Sequence, residues 1–183
     1  MKKLLLLLSL CLSSVSQAQT FASVNAEFAT GVNGASDMHG YLFTVGHKAN
    51  ANIVVDANAE TLVANSTNAT INRLEAGATW LVPNTTILTP YVRTALGSKT
   101  ASGDQFNYYS VEPGLRAKLG PGAIRLGWRY RDSVESGYTD LSRTWRLGYV
   151  LPMSNSIDLN VAYEQSRGNM SYNGYMTGLV IKF

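Results

Sequence analysis

Hydrophobic and polar residues alternate along this chain with a period of two, in blocks of roughly ten residues separated by short polar stretches. The clearest pair of blocks runs from Ala123 to Pro152. In its first half Ile124, Leu126, Trp128 and Tyr130 share one parity and Arg125, Gly127, Arg129 and Arg131 the other. In its second half Trp145, Leu147, Tyr149 and Leu151 alternate with Thr144, Arg146, Gly148 and Val150. Successive side chains of a strand point to opposite faces, so the pattern predicts a β-hairpin with one oily, aromatic-tipped face and one face carrying arginine.

The same unit recurs on both sides. Ala22, Val24, Ala26 and Phe28 alternate with Ser23, Asn25 and Glu27, and Tyr41, Phe43 and Val45 oppose Thr44, Gly46 and Lys48. The Ala-rich stretch Ile53 to Val63 carries Asp56, Asn58 and Glu60 on its polar parity. Leu74, Ala76, Ala78 and Trp80 oppose Arg73, Glu75, Gly77 and Thr79. Leu88, Pro90, Val92 and Leu96 oppose Thr89, Tyr91 and Arg93, with a bulge expected at Pro90 because proline removes a ladder donor. Tyr109, Val111, Pro113 and Leu115 oppose Tyr108, Ser110, Glu112, Gly114, Arg116 and Lys118. Ile157, Leu159, Val161 and Tyr163 oppose Asp158, Asn160, Ala162 and Glu164, and the last block sets Tyr175, Thr177, Leu179, Ile181 and Phe183 against Met176, Gly178, Val180 and Lys182.

Polar stretches at 31–40, 65–70, 97–105, 132–140 and 167–173 read as longer loops, and Pro- and Asn-rich segments at 82–85, 120–122 and 152–156 as tight turns. The expectation is an all-β protein: a transmembrane antiparallel up-and-down β-barrel of about ten strands, or eight if residues 53–71 are mostly loop. The oily faces would form the core of a soluble sandwich but the lipid-facing wall of a membrane barrel. The aromatics choose between these. Trp80, Trp128, Trp145, Tyr41, Tyr149, Tyr163, Tyr175 and Phe183 all lie on the oily parity, most near strand ends, where amphipathic rings suit the headgroup level.

Both ends of the chain agree with that choice. Met1-Lys2-Lys3 is a basic start, Leu4 to Leu12 an apolar run too short to span a bilayer, and Ser16-Gln17-Ala18 a small-residue cleavage site. Residues 1–18 therefore read as a signal peptide cleaved after Ala18, and residues 19–183 as the barrel. Cys11 is not a lipid anchor, because Leu10 stands where a small residue is required. It is the sole cysteine, which excludes disulfides and thiolate metal sites from the exported chain. Mean hydropathy is −0.03, so no helical membrane span exists beyond the signal, while alternation hides a lipid-facing wall in a near-zero average.

Charge is informative in its distribution. Outside residues 1–18 there are 13 basic and 12 acidic side chains, a balance that predicts no nucleic-acid partner. From residue 106 onward, however, 9 basic residues face 6 acidic ones. Arg116, Lys118, Arg125, Arg129, Arg131 and Arg146 fall on the inward parity of three consecutive strands and, with Arg73 and Arg93, would line the lumen. Two outcomes follow from this. The cations pair with Glu27, Asp56, Glu60, Glu75, Glu112, Asp158 and Glu164 in a network that fills the barrel, or their excess on one wall makes a narrow passive pore favouring small anionic solutes. The inward Gly46, Gly77, Gly114, Gly127, Gly148 and Gly178 leave free space or mark curvature.

Other chemistry is sparse. His39, following Ser36 and Asp37, offers a conceivable catalytic dyad but no enzyme signature, and no phosphate-binding loop, metal cluster or cofactor motif is present. Asp132, Glu135 and Asp140 read as a solvated acidic loop, with bridging of divalent cations between lipopolysaccharides as the alternative. Arg143, on the oily parity near the loop end, is placed to contact lipid phosphates.

A terminal amphipathic strand ending on Phe183 resembles the sorting signal read by the outer-membrane assembly machinery of Gram-negative bacteria. The chain from Gln19 onward resembles the small outer-membrane β-barrels of the porin-like superfamily. Its arginine-lined wall from Arg116 to Arg146 is similar to that of the oligogalacturonate-specific porin family. The resemblance implies a cell-outer-membrane location and contact with lipid and lipopolysaccharide. Three readings follow: a narrow passive channel favouring small anionic solutes; as the alternative, a non-conducting structural or surface-interaction barrel; and, as a remote third, an outer-membrane barrel enzyme, although no enzyme is expected from the residues.

Overall fold

The computed structural model describes residues 19–32, 36–83, 87–101, 103–137 and 139–183. Ten antiparallel strands close into one barrel: β1 (Thr20–Val32), β2 (Ser36–Lys48), β3 (Ile53–Ala64), β4 (Thr70–Leu81), β5 (Leu88–Ala101), β6 (Asp104–Leu119), β7 (Gly122–Ser133), β8 (Ser142–Pro152), β9 (Ile157–Gly168) and β10 (Tyr172–Lys182). Each strand pairs with its sequence neighbours, and β1 closes on β10 from Phe21↔Lys182 to Thr30↔Asn173. Closure removes every sheet edge, so backbone donors and acceptors are satisfied without water. The Ala-rich segment is a full strand, which settles the count at ten rather than eight. The expected signal segment 1–18 and residues Asn84 and Thr85 of the second turn lie outside the described residues.

An even strand number puts both termini at one end, with the connections 49–52, 82–87, 120–121 and 153–156; this is termed the turn end, and the opposite end the loop end. The expected asymmetry of short turns and long loops is not what the fold shows. Residues 36–40, 98–101, 104–105, 132–133 and 167–168, read from their polarity as loop, are strand. The physical reason is that a polar side chain pointing outward reports its solvent and not its backbone; the ladder continues as long as a neighbour supplies hydrogen bonds. The expected bulge at Pro90 is also absent. The β5–β6 register runs unbroken from Leu88↔Ala117 to Ala101↔Asp104, and Pro90 lies one position beyond the last β4 rung, Leu81↔Tyr91, where its carbonyl accepts from Val82 N at 2.9 Å. The register shift lies instead between Ala29 and Val32, against β2.

The outward face is apolar over most of each strand and turns polar toward the loop end, at Thr30, His39, Thr61, Asn72, Ser98, Asn107, Asp132, Arg143, Gln165 and Asn173. Aromatics stand on the apolar side of that border on most strands: Phe28, Tyr41, Tyr109, Tyr130, Trp145, Tyr163 and Tyr175. Several touch, with ring centroids 5.3 Å apart for Tyr163 and Tyr175 and 6.1 Å for Tyr109 and Tyr130. Trp80, Tyr149 and Phe183 mark the other border at the turn end. These rings edge an apolar band as expected, but those nearer the loops lie within strands and not at their ends, because the strands run on past the band. Trp128 lies inside the band, its ring 6.4 Å from that of Tyr130.

Candidate functional site

The lumen is built from the inward parity of all ten strands, and its chemistry changes along the axis. At the loop end Ala29, Met38, Leu62, Ala64, Met170 and Tyr172 form a buried apolar cluster, with Val32 and Ile71 packed against it. Below it lies a belt of ion pairs, and a cavity of about 570 Å³ runs from that belt, at Glu27, Arg73 and Arg131, toward the turn end, lined there by Phe21, Asp56, Arg116 and Lys182 among others. The cavity continues into a wider mouth at the turn end, edged by Gln19, Asn52, Ile87, Lys118 and Pro121.

Ion pairing accounts for nearly all of the inward arginines. Glu112, 1% exposed, is the centre of one knot: Arg125 Nη2 reaches Oε1 at 2.7 Å, Arg146 Nη1 reaches Oε2 at 3.0 Å, and Tyr91 donates its hydroxyl to Oε1 at 2.8 Å. Arg146 also pairs through Nε with Glu164, which accepts from Tyr172 Oη at 3.3 Å and lies 3.8 Å from Arg129. Across the barrel Arg93 grips Asp56 with two bonds, at 2.5 and 3.1 Å, and Glu75 at 2.7 Å, while Arg73 pairs with Glu60. A bidentate grip uses the planar guanidinium fully. At the turn end Lys182 pairs with Asp158 at 2.7 Å. Arg116 and Lys118 differ: they stand exposed at the mouth, and among the described residues neither has an ion pair.

Three arginines or lysines also lie over rings. Arg125 sits 4.5 Å from the Tyr91 ring centre, Arg131 5.2 Å from Tyr108, and Lys99 5.4 Å from Phe106. Cation–π contact of this kind strengthens where water is excluded. These rings also explain the inward glycines, which neither open the lumen nor mark bends at these places. Phe21 is the cross-strand partner of Gly46, Tyr91 of Gly114, and Tyr108 of Gly97, and each ring lies where the glycine's Cβ would be. At Gly127 the same space is taken by Tyr91 Oη and by Glu112 Oε1, which lies 2.7 Å from where a Cβ would stand. The glycines are sockets for the aromatic and carboxylate members of the knot.

Asp140 was unreadable from the pattern. It belongs to the connection between β7 and β8, yet it is 2% exposed, folded into the lumen onto Lys99 Nζ at 2.6 Å and Arg131 Nε at 2.8 Å. The acidic loop is therefore not solvated at this residue and offers no exposed cation bridge through it. Glu135 is taken by the Asn107 backbone at 2.9 Å, and Asp132 accepts from Tyr130 Oη at 3.2 Å. Lys99, placed in a loop by its polar surroundings, shares the parity of Arg93, Ala95 and Gly97, a signal that extended alternation carries. Tyr172 and Met170 had no such signal. The Ser36–His39 dyad is not formed: His39 Nδ1 lies 2.6 Å from Asn65 Oδ1, and Ser36 donates to the Asp37 carbonyl at 3.1 Å. Glu27, expected to pair, has no ion-pair partner, and its Oε2 is buried without a hydrogen-bond partner among the described residues.

No family model matches the chain, and no curated protein matches its sequence. Solved structures do match. An outer-membrane channel from Pseudomonas putida F1 superposes with a TM-score of 0.57 at 8% identity, covering 93% of this chain and 97% of that one. The fold is that of the outer-membrane β-barrels. The NanC porin matches with a TM-score of 0.51 at 14% identity over 88% of this chain and all of its own. The β domain of the Bordetella autotransporter BrkA gives 0.51 at 11% identity over 92% and 100%. In this fold the apolar band is the outer wall and the ion-pair belt the barrel's interior.

Proposed function

We propose that the protein is a non-conducting outer-membrane β-barrel of structural or surface-interaction type. Its turn end would face the periplasm as a blind vestibule and its loop end the exterior. The observation that carries this reading is the burial at the loop end. The apolar cluster of Ala29, Met38, Leu62, Ala64, Met170 and Tyr172 is buried there outside the lining of the cavity, and Asp140 is folded onto Lys99 and Arg131. Beneath it the arginine wall is matched by carboxylates, so it presents ion pairs and no continuous cationic track.

The neighbours that share the fold lend support to an outer-membrane location and to a non-enzymatic role. Planar-bilayer recording of the folded protein, with folding checked by heat-modifiable gel mobility, tests the reading. Silence is expected. Steady openings with an anion-shifted reversal potential would instead establish the narrow anion-favouring channel, the reading favoured by the unpaired Arg116 and Lys118 at the mouth.

A further inference from the structure

The outer face of the barrel contains one arrangement that the lumen does not explain. On β8 and β9, Arg143 and Arg167 are direct cross-strand partners, both exposed. Like charges placed opposite one another weaken a sheet unless an anion lies between them. Among the described residues neither has a carboxylate within ion-pair distance, in contrast to the lumen arginines. Arg167 donates one bond, to the Ser166 carbonyl at 2.9 Å. On the adjoining β7, Asp132 is occupied by the Tyr130 hydroxyl and, at 2.8 Å, by Ser133 N.

The position of the pair identifies what the missing anion is. Arg143 and Arg167 stand just past the border of the apolar band, one rung beyond Trp145↔Gln165. Trp145 and Tyr163 lie on the apolar side of them, and Tyr130 is the cross-strand partner of Arg143 on β7. A ligand held there has its charged group against two guanidinium groups and its apolar part along the aromatic wall, which is the geometry of a phosphorylated lipid lying against a barrel. We propose that Arg143 and Arg167 form a clamp for the phosphate of lipid A in the leaflet that meets the loop end. This rests on the reading that the loop end faces outward in the outer membrane.

The test reconstitutes the folded barrel into phosphatidylcholine vesicles containing lipid A, or its dephosphorylated form. Bound lipid is measured after detergent extraction, and the urea midpoint of unfolding is measured in each vesicle. The wild type is expected to retain lipid A and to gain stability from it, and not from the dephosphorylated form. Arg143→Gln and Arg167→Gln should each weaken retention roughly fivefold, the effect of one cation at an anionic lipid surface. Both variants should fold at least as well as wild type in phosphatidylcholine alone, since a repulsion is removed. Arg116→Gln at the opposite end should behave as wild type. Equal retention by the double variant, equal retention of both lipids, or equal stabilisation by inorganic phosphate would each overturn the clamp. Absence of a heat-modifiable band in any vesicle would overturn the membrane reading itself.

Discussion

Glu112 shows how single residues hold this barrel together. Its carboxylate is shared by Arg125 and Arg146 and accepts from Tyr91, whose hydroxyl lies with Glu112 Oε1 over the bare backbone of Gly127. Glu112→Gln keeps the shape and removes the charge, leaving Arg125 without an ion-pair partner and Arg146 with Glu164 alone. Breaking a buried pair costs about 3–5 kcal/mol, and the lower figure applies here because the Arg125 side chain is 44% exposed to the cavity. The expected result is a destabilisation of about 3 kcal/mol, read as the shift in the urea midpoint of the folded barrel. Arg116→Ala, at the open mouth and without an ion pair, should change stability by less than about 0.5 kcal/mol. A similar loss at both sites would show that the knot adds nothing specific. Parity alone places both arginines inward; it does not distinguish the one in the knot from the one in solvent.

At the scale of the strand, cross-strand partners decide which glycines are needed. A Cβ at Gly178 would run into the Val24 carbonyl on β1 and lie 2.6 Å from Asn25 Cα, which are backbone atoms that cannot swing away. Gly148 has nothing nearer than 3.7 Å. Gly178→Val should therefore destabilise by roughly 1–3 kcal/mol, as overpacking does, and lower the temperature at which the heat-modifiable band is lost. Gly148→Ala should leave that temperature unchanged. The reverse order would mean that β1–β10 closure tolerates a spread strand. In sequence the two glycines look alike: each is an inward residue in an alternating strand. The loops were misread for a related reason, since Ser98, Lys99 and Thr100 are as polar as any turn, yet they pair with Asn107, Phe106 and Gln105 in an unbroken ladder.

For the molecule as a whole, the proposed blind lumen is tested at Asp140. Asp140→Ala removes the charge that holds the β7–β8 connection over Lys99 and Arg131, two cations that would then face the axis unpaired. Brief anion-favouring openings are expected in planar bilayers where the wild type is silent, because freed cations lower the barrier for anions. Continued silence from folded Asp140→Ala protein would place the seal in the apolar cluster around Leu62 and Met170 alone.

Period-two alternation was enough to determine an all-β barrel of about ten strands, the inward face of each strand and the outer apolar band, because side-chain direction in a strand is set locally; the structure settled the count at ten and not eight. It also named both partners of most of the ion pairs, since acids and bases of one parity must share the lumen. Strand ends, the covering of glycines by rings and the absence of a bulge at Pro90 depended on what the neighbouring strand offers, which is a matter of register. The burial of Asp140, Met170 and Tyr172 at the loop end and the facing of Arg143 by Arg167 came only from the tertiary structure. Those residues meet across loops and strands whose spacing in sequence carries no period, and it is barrel closure that sets their distance.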